Sequence, residues 1–339
     1  MTIQQKTITI FGGTGNQGNA VVQSLLAHKD KAFHVRVITR DPTGPVAQEL
    51  AGLGAELYKA DGFNKEQITA AFQESWGAFI NVNSDESGER EALDSPNSYD
   101  LSISILDAAQ AAGTAHVVYS SGANVNRATN GRIHIPGFDC KSYAAEYAQQ
   151  RGYFTTFTPL LPASFMECWM DESFCKTWGG FPWFGEDGHD KNGVVLSAPP
   201  YGGDGRMPWV SLQDDFGDIV HGIFLNPTQY HHRPVQAISG MIRYEDLAKA
   251  FTKATGKPVG YQPMESWRDI PQDGSHLRDE CQLMFFYMQF CGGRWFAEHV
   301  SDDTDAKKCK AAGMEARGLN GKGLACFENW FRRAATQRV

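Results

Sequence analysis

Apolar positions along the first half of the chain keep two rhythms in turn. Residues 7–11, Thr-Ile-Thr-Ile-Phe, form a short β-rich run that predicts a strand, and residues 19–28 follow with the spacing of a helix. The alternation repeats: strands are expected over 34–39, 56–60, 78–82 and 117–120, with helices over 65–73 and 99–112. A helix over 139–150 and a strand over 154–159 extend the series. Strands separated by helices pair in parallel and need cover on both faces, so the expected class is α/β with a doubly wound parallel sheet. Past Leu160 the texture changes, and Pro, Gly and aromatic residues crowd through Trp169, Trp178 to Trp183, Pro199 to Tyr201 and Met207 to Trp209. Regular periodicity returns in an amphipathic helix over 244–255, stopped by Gly256, and a short strand over 259–262.

The first strand opens into Gly12-Gly-Thr-Gly15-Asn-Gln-Gly18. Glycines at 13, 15 and 18 fit G-x-G-x-x-G, and those at 12, 15 and 18 fit the overlapping G-x-x-G-x-x-G. A turn of this kind lets backbone N–H groups approach a pyrophosphate while the next helix aims its N-terminus at the same anion. The strand before it and the helix after it raise the motif above a chance glycine turn. The architecture expected is therefore a Rossmann-type nucleotide domain over 1–160, followed by a smaller, partly interleaved α/β cap over 161–339.

In an open parallel sheet the ligand crosses the carboxyl ends of the strands. After the second strand an acidic residue would accept hydrogen bonds from a ribose 2′-OH, but Thr39 and Arg40 occupy that place. A guanidinium grips a 2′-phosphate bidentately, which favours NADP(H). Asp41 weakens that reading, while Pro42 suggests a turn that leads the chain away. Asp61 and Gly62, Asn81 and Asn83, Ser120 and Ser121, and residues 160–165 stand at the other strand ends. Asn81 and Asn83 serve equally well as strand-end caps.

Composition removes several alternatives. The 339 residues are 42% hydrophobic, enough for a large core, and the net charge of −8 offers no basic field for nucleic acid or an anionic membrane. Seven cysteines without a C-x-x-C pair suit reduced thiols rather than a zinc site. The N-terminus lacks an apolar signal core and no run reaches the roughly 18 apolar residues of a spanning helix. A cytoplasmic protein is expected, a nuclear one being compatible, with no metal.

Three segments carry a resemblance: residues 12–18, Val35-Arg-Val-Ile-Thr-Arg-Asp-Pro42, and Phe138-Asp-Cys-Lys-Ser142. Together they resemble the NmrA-like branch of the atypical short-chain dehydrogenase/reductases. Met207-Pro-Trp-Val with Asp215, and residues 238–262, are similar to later parts of that branch; residues 267–339 are not matched. The resemblance implies NADP(H) on Gly12, Thr14, Gly15, Asn16, Gln17, Gly18 and Arg40, with Asp61 and Gly62 near the adenine. It places Asn81, Lys141 and the turn Ala163, Ser164, Phe165 near the nicotinamide and its ribose. It also implies one of two functions. Some relatives reduce quinones, dyes or isoflavone-like substrates; others are redox sensors that answer the NADP(H) pool through protein partners.

Departures from the wider short-chain pattern bear on the chemistry. Four residues before Lys141, where a catalytic Tyr usually stands, is Gly137, and Gly122 takes the place of the usual Ser. Lys141 remains the candidate catalytic group, holding the ribose and assisting proton transfer, against the plainer reading of a solvated helix lysine. Tyr119, Tyr143 and His134 are fallback acids. The aromatic residues beyond 160 admit three readings: a cap core, a partner-binding face, or an apolar cleft for a small aromatic or hydrophobic substrate. For the cleft, Asn83, Met166, Trp169 and Trp209 are the expected lining. His231 and His232 read as loop.

Overall fold

A computed structural model describes residues 5–83, 98–184, 194–272, 274, 276–321 and 323–337. The strands run in chain order as β1 (Lys6–Phe11), β2 (Phe33–Thr39), β3 (Glu56–Lys59), β4 (Gly77–Ile80), β5 (His116–Ser120) and β6 (Thr156–Pro162). Outside this series come β7 (Ser164–Phe165), β8 (Val194–Ala198) and β9 (Met207–Val210), then β10 (Val235–Ala237), β11 (Gly240–Ile242) and β12 (Val259–Pro263). Seven of them form one parallel sheet in the order β10-β6-β5-β4-β1-β2-β3. Successive strands progress outward in one direction from β1 and in the other from β4. The crevice between β1 and β4 is thus the switch point where ligands bind in such sheets. Burial follows from the same geometry: β4 is buried at every position and β6 at all but its last, the near-continuous apolar run of a strand covered on both faces.

The helices are α1 (Asn16–Leu26), α2 (Pro45–Gly52), α3 (Lys65–Ala71), α4 (Ser98–Ala111), α5 (Val125–Ala128) and α6 (Pro136–Arg151). They continue with α7 (Glu172–Thr177), α8 (Gly217–Leu225), α9 (Tyr244–Thr255), α10 (His276–Phe290), α11 (Thr304–Ala316) and α12 (Phe327–Gln337). On one sheet face α3, α4 and α6 pack into a core with Phe72, Ile105 and Phe157. The other face carries α1, α8 and α11. Its core runs without a break into the cap, from Ile8 and Val21 to Trp169, Trp209 and Phe331.

Most expected elements are present with small shifts at their ends. Two shifts bear on the site: α1 begins at Asn16 rather than 19, and α6 at Pro136 rather than 139. In both, residues that read as loop are the first helical turn. Proline at the first turn of α6 costs nothing, because that N–H would be unpaired anyway.

The C-terminal half is built into the nucleotide half. Strand β10 extends the main sheet beside β6, and α8 lies across α1. Glycines permit these approaches: a Cβ on Gly217 would overlap the Ala20 carbonyl in α1, and one on Gly222 the Cys309 carbonyl in α11. Buried Asp215 accepts hydrogen bonds from Ser239, Lys310 and, at 2.9 Å, the Ala325 amide; Lys310 also donates to the Gly323 carbonyl at 2.9 Å. Such a charge is tolerable inside only because it is paired and fully hydrogen-bonded. Residues 267–339, which the motif resemblance left unassigned, contain α10, α11 and α12, with α12 burying Phe327, Trp330, Phe331 and Ala334 at helical spacing against α9. Among the described residues no helix is long and apolar enough to cross a membrane.

Overpacking at Gly222 gives a direct test of the α8–α11 contact. Gly222→Ala should destabilise the fold by about 1–3 kcal/mol, read as a lower urea midpoint with an unchanged slope. An unchanged midpoint would show that α11 yields without cost.

Candidate functional site

The glycine turn fills the switch-point crevice, and each glycine has a different task. Gly12 adopts φ +78°, and a Cβ there would sit 2.5 Å from the Asn81 carbonyl oxygen at the end of β4. At Gly18 a Cβ would lie 2.6 Å from the Gly13 Cα, so these two glycines allow the turn to close. Gly15 is the N-cap of α1, extended (φ −84°, ψ 168°), with no side chain capping the helix and no acidic residue in its first turn. The Gly15 amide donates to the Gly12 carbonyl at 3.1 Å. The positive end of α1 therefore faces the crevice with its amide donors available, the electrostatic condition for holding a phosphate. Gln17, buried, accepts from Ser120 Oγ at 2.8 Å and pins the turn to β5.

From this turn a cavity of about 970 Å³ extends across the sheet into the cap. At one end lie Gly12, Thr14, Gly15, Asn16, Gln17 and Arg40, with Ala60, Gly62 and Val82 lining a slot beside them. Asp41 also borders this end. Its carboxylate is held by the Thr43 amide and hydroxyl at 2.9 and 2.6 Å, and these bonds, the hydroxyl first, lower its pKa. Residues 42 and 43 form the expected turn, closed by the Gly44 amide on the Asp41 carbonyl at 3.4 Å, but Asp41 stays on the cavity border beside Arg40.

Mid-cavity, Lys141 in the first half of α6 donates from Nζ to Asn81 Oδ1 at 3.3 Å. The Lys141 carbonyl accepts from Ser121 Oγ at 3.4 Å. Asn83 and the turn Ala163, Ser164, Phe165 line the same stretch. Gly137 borders the cavity, so the position four before Lys141 brings no phenol to it. Gly122 lies under α6, where a Cβ would come 2.7 Å from the Phe138 carbonyl oxygen. That closeness leaves no room for a serine.

Several expected residues lie elsewhere. Met166, Trp169 and Trp209 are buried in the cap core and do not border the cavity; Trp169 packs on Phe174, Phe181 and Trp209 instead. Aromatic density alone cannot tell a core ring from a wall ring, and here the core reading holds for these three. Tyr119 is fully buried on the opposite sheet face against Phe157, and burial drives its hydroxyl pKa up. It has no access to a substrate. His134 is exposed and bonds Asp139 at 2.8 Å, in the network that caps α6. Tyr143 is absent from the cavity wall, and Asp61 turns its carboxylate to the Phe63 amide at 3.1 Å. Gly18 acts from behind the turn rather than on the wall.

The far wall contains residues that the sequence reading missed. Phe138, Cys168 and Phe174 face the cavity, as do Glu280, Cys281 and Met284 on α10 and Trp295 and Phe296 after it. Position 284 lies one helical turn beyond 280 and 281, the available signal that α10 turns one face inward. Trp295 is anchored by its indole N–H to the Pro162 carbonyl at 3.0 Å, edge-on to Phe138 at 5.6 Å. Burial pushes the Cys168 and Cys281 thiols up to about 12. No group of three or more potential metal ligands occurs among the described residues.

The sequence profile of the NmrA-like family matches residues 4–293. The chain belongs to the NmrA-like family. It is 49% identical to the NmrA-like family domain-containing oxidoreductase malD of Malbranchea aurantiaca, over 100% of this chain and 99% of the relative. It is 40% identical to the NmrA-like family domain-containing oxidoreductase FrzB of Cladobotryum, over 92% of each. Among solved structures, NmrA, a negative transcriptional regulator, in complex with NADP superposes with a TM-score of 0.72 at 18% identity, over 99% of this chain and 97% of the other. The NADPH-dependent quinone oxidoreductase of Escherichia coli, complexed with NADPH, superposes with a TM-score of 0.66 at 18% identity, over 97% of this chain and 99% of the other. At these identities the superpositions speak for a shared NmrA-like fold.

The glycine tasks separate in mutants. A Cβ at Gly15 meets only the Gly12 carbonyl oxygen at 3.4 Å, so Gly15→Val should fold yet lose dinucleotide binding through its branched methyls. NADPH fluorescence read beside circular dichroism checks this. Retained binding in the folded variant would make the motif a turn and nothing more.

Proposed function

We propose that this chain is an NADPH-dependent reductase of a small aromatic or hydrophobic acceptor: an aromatic ketone, a quinone or a conjugated alkene. The observation that carries this reading is one continuous cavity with an anion-holding helix terminus and Arg40 at one end, an aromatic wall at the other, and Lys141 between them. The amides around Gly15 would hold the pyrophosphate, Arg40 the 2′-phosphate, and Ala60, Gly62 and Val82 the adenine. Lys141 and Asn81 would hold the ribose next to the nicotinamide, against the turn Ala163 to Phe165. When bound, the reduced cofactor supplies the hydride. The protein's share is to orient the acceptor on Phe165, Trp295 and Met284, to exclude water, and to lend a proton through Lys141 where the product oxygen needs one. Relatives named as oxidoreductases support the reading.

One feature favours a second reading. With Gly137 where a tyrosine acid usually stands, the chain would serve as an NADP(H)-responsive regulator acting through a protein partner. The two readings part at Lys141. In a reductase, Lys141→Met should keep NADPH affinity within about tenfold and cut turnover by roughly 10²–10⁴. NADPH absorbance followed with quinones, aromatic ketones and enones provides the measurement. Binding without oxidation across the panel would favour the regulator, and unchanged turnover in the variant would remove Lys141 from the chemistry.

Cofactor choice follows from Arg40. NADP(H) should bind more tightly than NAD(H), and Arg40→Ala should remove most of the gap, about 1.5–3 kcal/mol for a charge-assisted contact. Calorimetric titration of both cofactors decides it; equal affinities in the wild type would overturn the assignment.

A further inference from the structure

The seam where α8 meets α1 and α11 encloses polar groups that the cavity does not use. Ser24 of α1 and Asp218 and His221 of α8 are all buried there. Ser24 Oγ donates to Asp218 Oδ1 at 2.5 Å, and both Asp218 oxygens accept from Arg317 Nη1, at the end of α11, at 2.8 and 2.9 Å. A hydroxyl has one proton to give. With that proton on the carboxylate, the 3.1 Å contact between Ser24 Oγ and His221 Nδ1 requires the imidazole to donate from Nδ1. Nε2 is then the bare nitrogen, and it is buried without a hydrogen-bond partner.

A proton arriving at Nε2 would find no acceptor. Asp218 is engaged by Arg317 and Ser24, and the rings next to His221 are those of His28 and Phe33, with centroids at 5.3 and 5.6 Å. Lys29 and Asp30, in the turn after α1, act on His28 in opposite senses. The charged groups around the two imidazoles are thus Asp218 from α8, Arg317 from the end of α11, and Lys29 and Asp30; β2 brings Phe33. Burial first, and then His28 and Arg317, lower the His221 pKa to about 3, and burial lowers that of His28 as well. An exposed imidazole takes its proton near about 6.5, so an opened seam binds a proton that the closed seam refuses, and closure weakens as pH falls below that value.

We propose that the seam of α1, α8 and α11 is an acid-released latch, shut by neutral His221 and opened when a proton on its Nε2 parts α8 from α1. The latch joins the cap to the helix whose N-terminus faces the cavity, so its release loosens the cap from the nucleotide half.

Hydrogen exchange of the full chain, read on peptides from α1, α8 and α11 and corrected for the intrinsic rate, measures the opening. One proton taken up per opening makes opening about tenfold more frequent at about pH 5.5 than at about pH 7.5. His221→Gln keeps an amide donor for Ser24 and takes no proton, while His28 and the carboxylates titrate in both proteins. The acid-to-neutral ratio should therefore be about tenfold larger in the wild type than in the variant. Equal ratios would overturn the latch, and acid-induced exchange spread evenly over the main sheet would replace it with global unfolding. If His221→Gln does not fold, imidazole nitrogen chemical shifts of the wild type decide. The neutral Nδ1–H form is expected to persist in the folded chain at about pH 5.5, and protonation near about pH 6.5 would overturn the proposal.

Discussion

Everything in this molecule that bears on binding depends on how closely the chain passes itself between residues 12 and 18. The Gly12 carbonyl is the pivot: it accepts from the Gly15 amide, and the Gly18 backbone presses against it where a side chain would collide. Gly12 in turn lies against the end of β4. A Cβ at 12 or 18 would push α1 off the sheet and turn its positive terminus from the crevice. Gly15 has room for one. Closing the turn and leaving space for a phosphate are therefore separate demands that one short motif meets at different positions.

A second constraint decides what faces that crevice. The cap is held by contacts that reach far along the chain: glycine approaches of α8 to α1 and α11, the buried Asp215–Lys310 pair, and the Glu167 carboxylate, which accepts from the Leu212 amide at 3.0 Å and the Trp330 indole at 3.4 Å. Glu167 is the neighbour of Cys168, which borders the cavity. The site wall is thereby tied to the last helix, and the cap cannot loosen without disturbing the site.

How much of this was legible in the sequence follows from the range of the interactions. The glycine turn, Arg40, Asn81 and Lys141 could be placed because local rules fix them: strand, turn and helix N-terminus succeed one another within a few residues, and strand ends converge by topology. Ring packing in the cap obeys no local rule. Trp169 and Trp209 looked like a cleft and are core, whereas Trp295 and Phe296, in a stretch without a recognisable pattern, form the wall. Tyr119 failed for a simpler reason. Alternate strand residues face opposite sides of the sheet, and its register sends it to the face away from the cavity.

In the proposed reading one cavity would hold the dinucleotide at its glycine end and present the nicotinamide to the aromatic wall of Phe138, Phe165, Trp295 and Phe296. A crystal structure of the chain with NADPH tests it most directly. The pyrophosphate is expected at the α1 N-terminus, the 2′-phosphate on Arg40, and the nicotinamide ribose on Lys141, with the reactive ring face open toward Trp295 and Met284. A nicotinamide turned out of the cavity, or a cap wall packed down onto its reactive face, would contradict it.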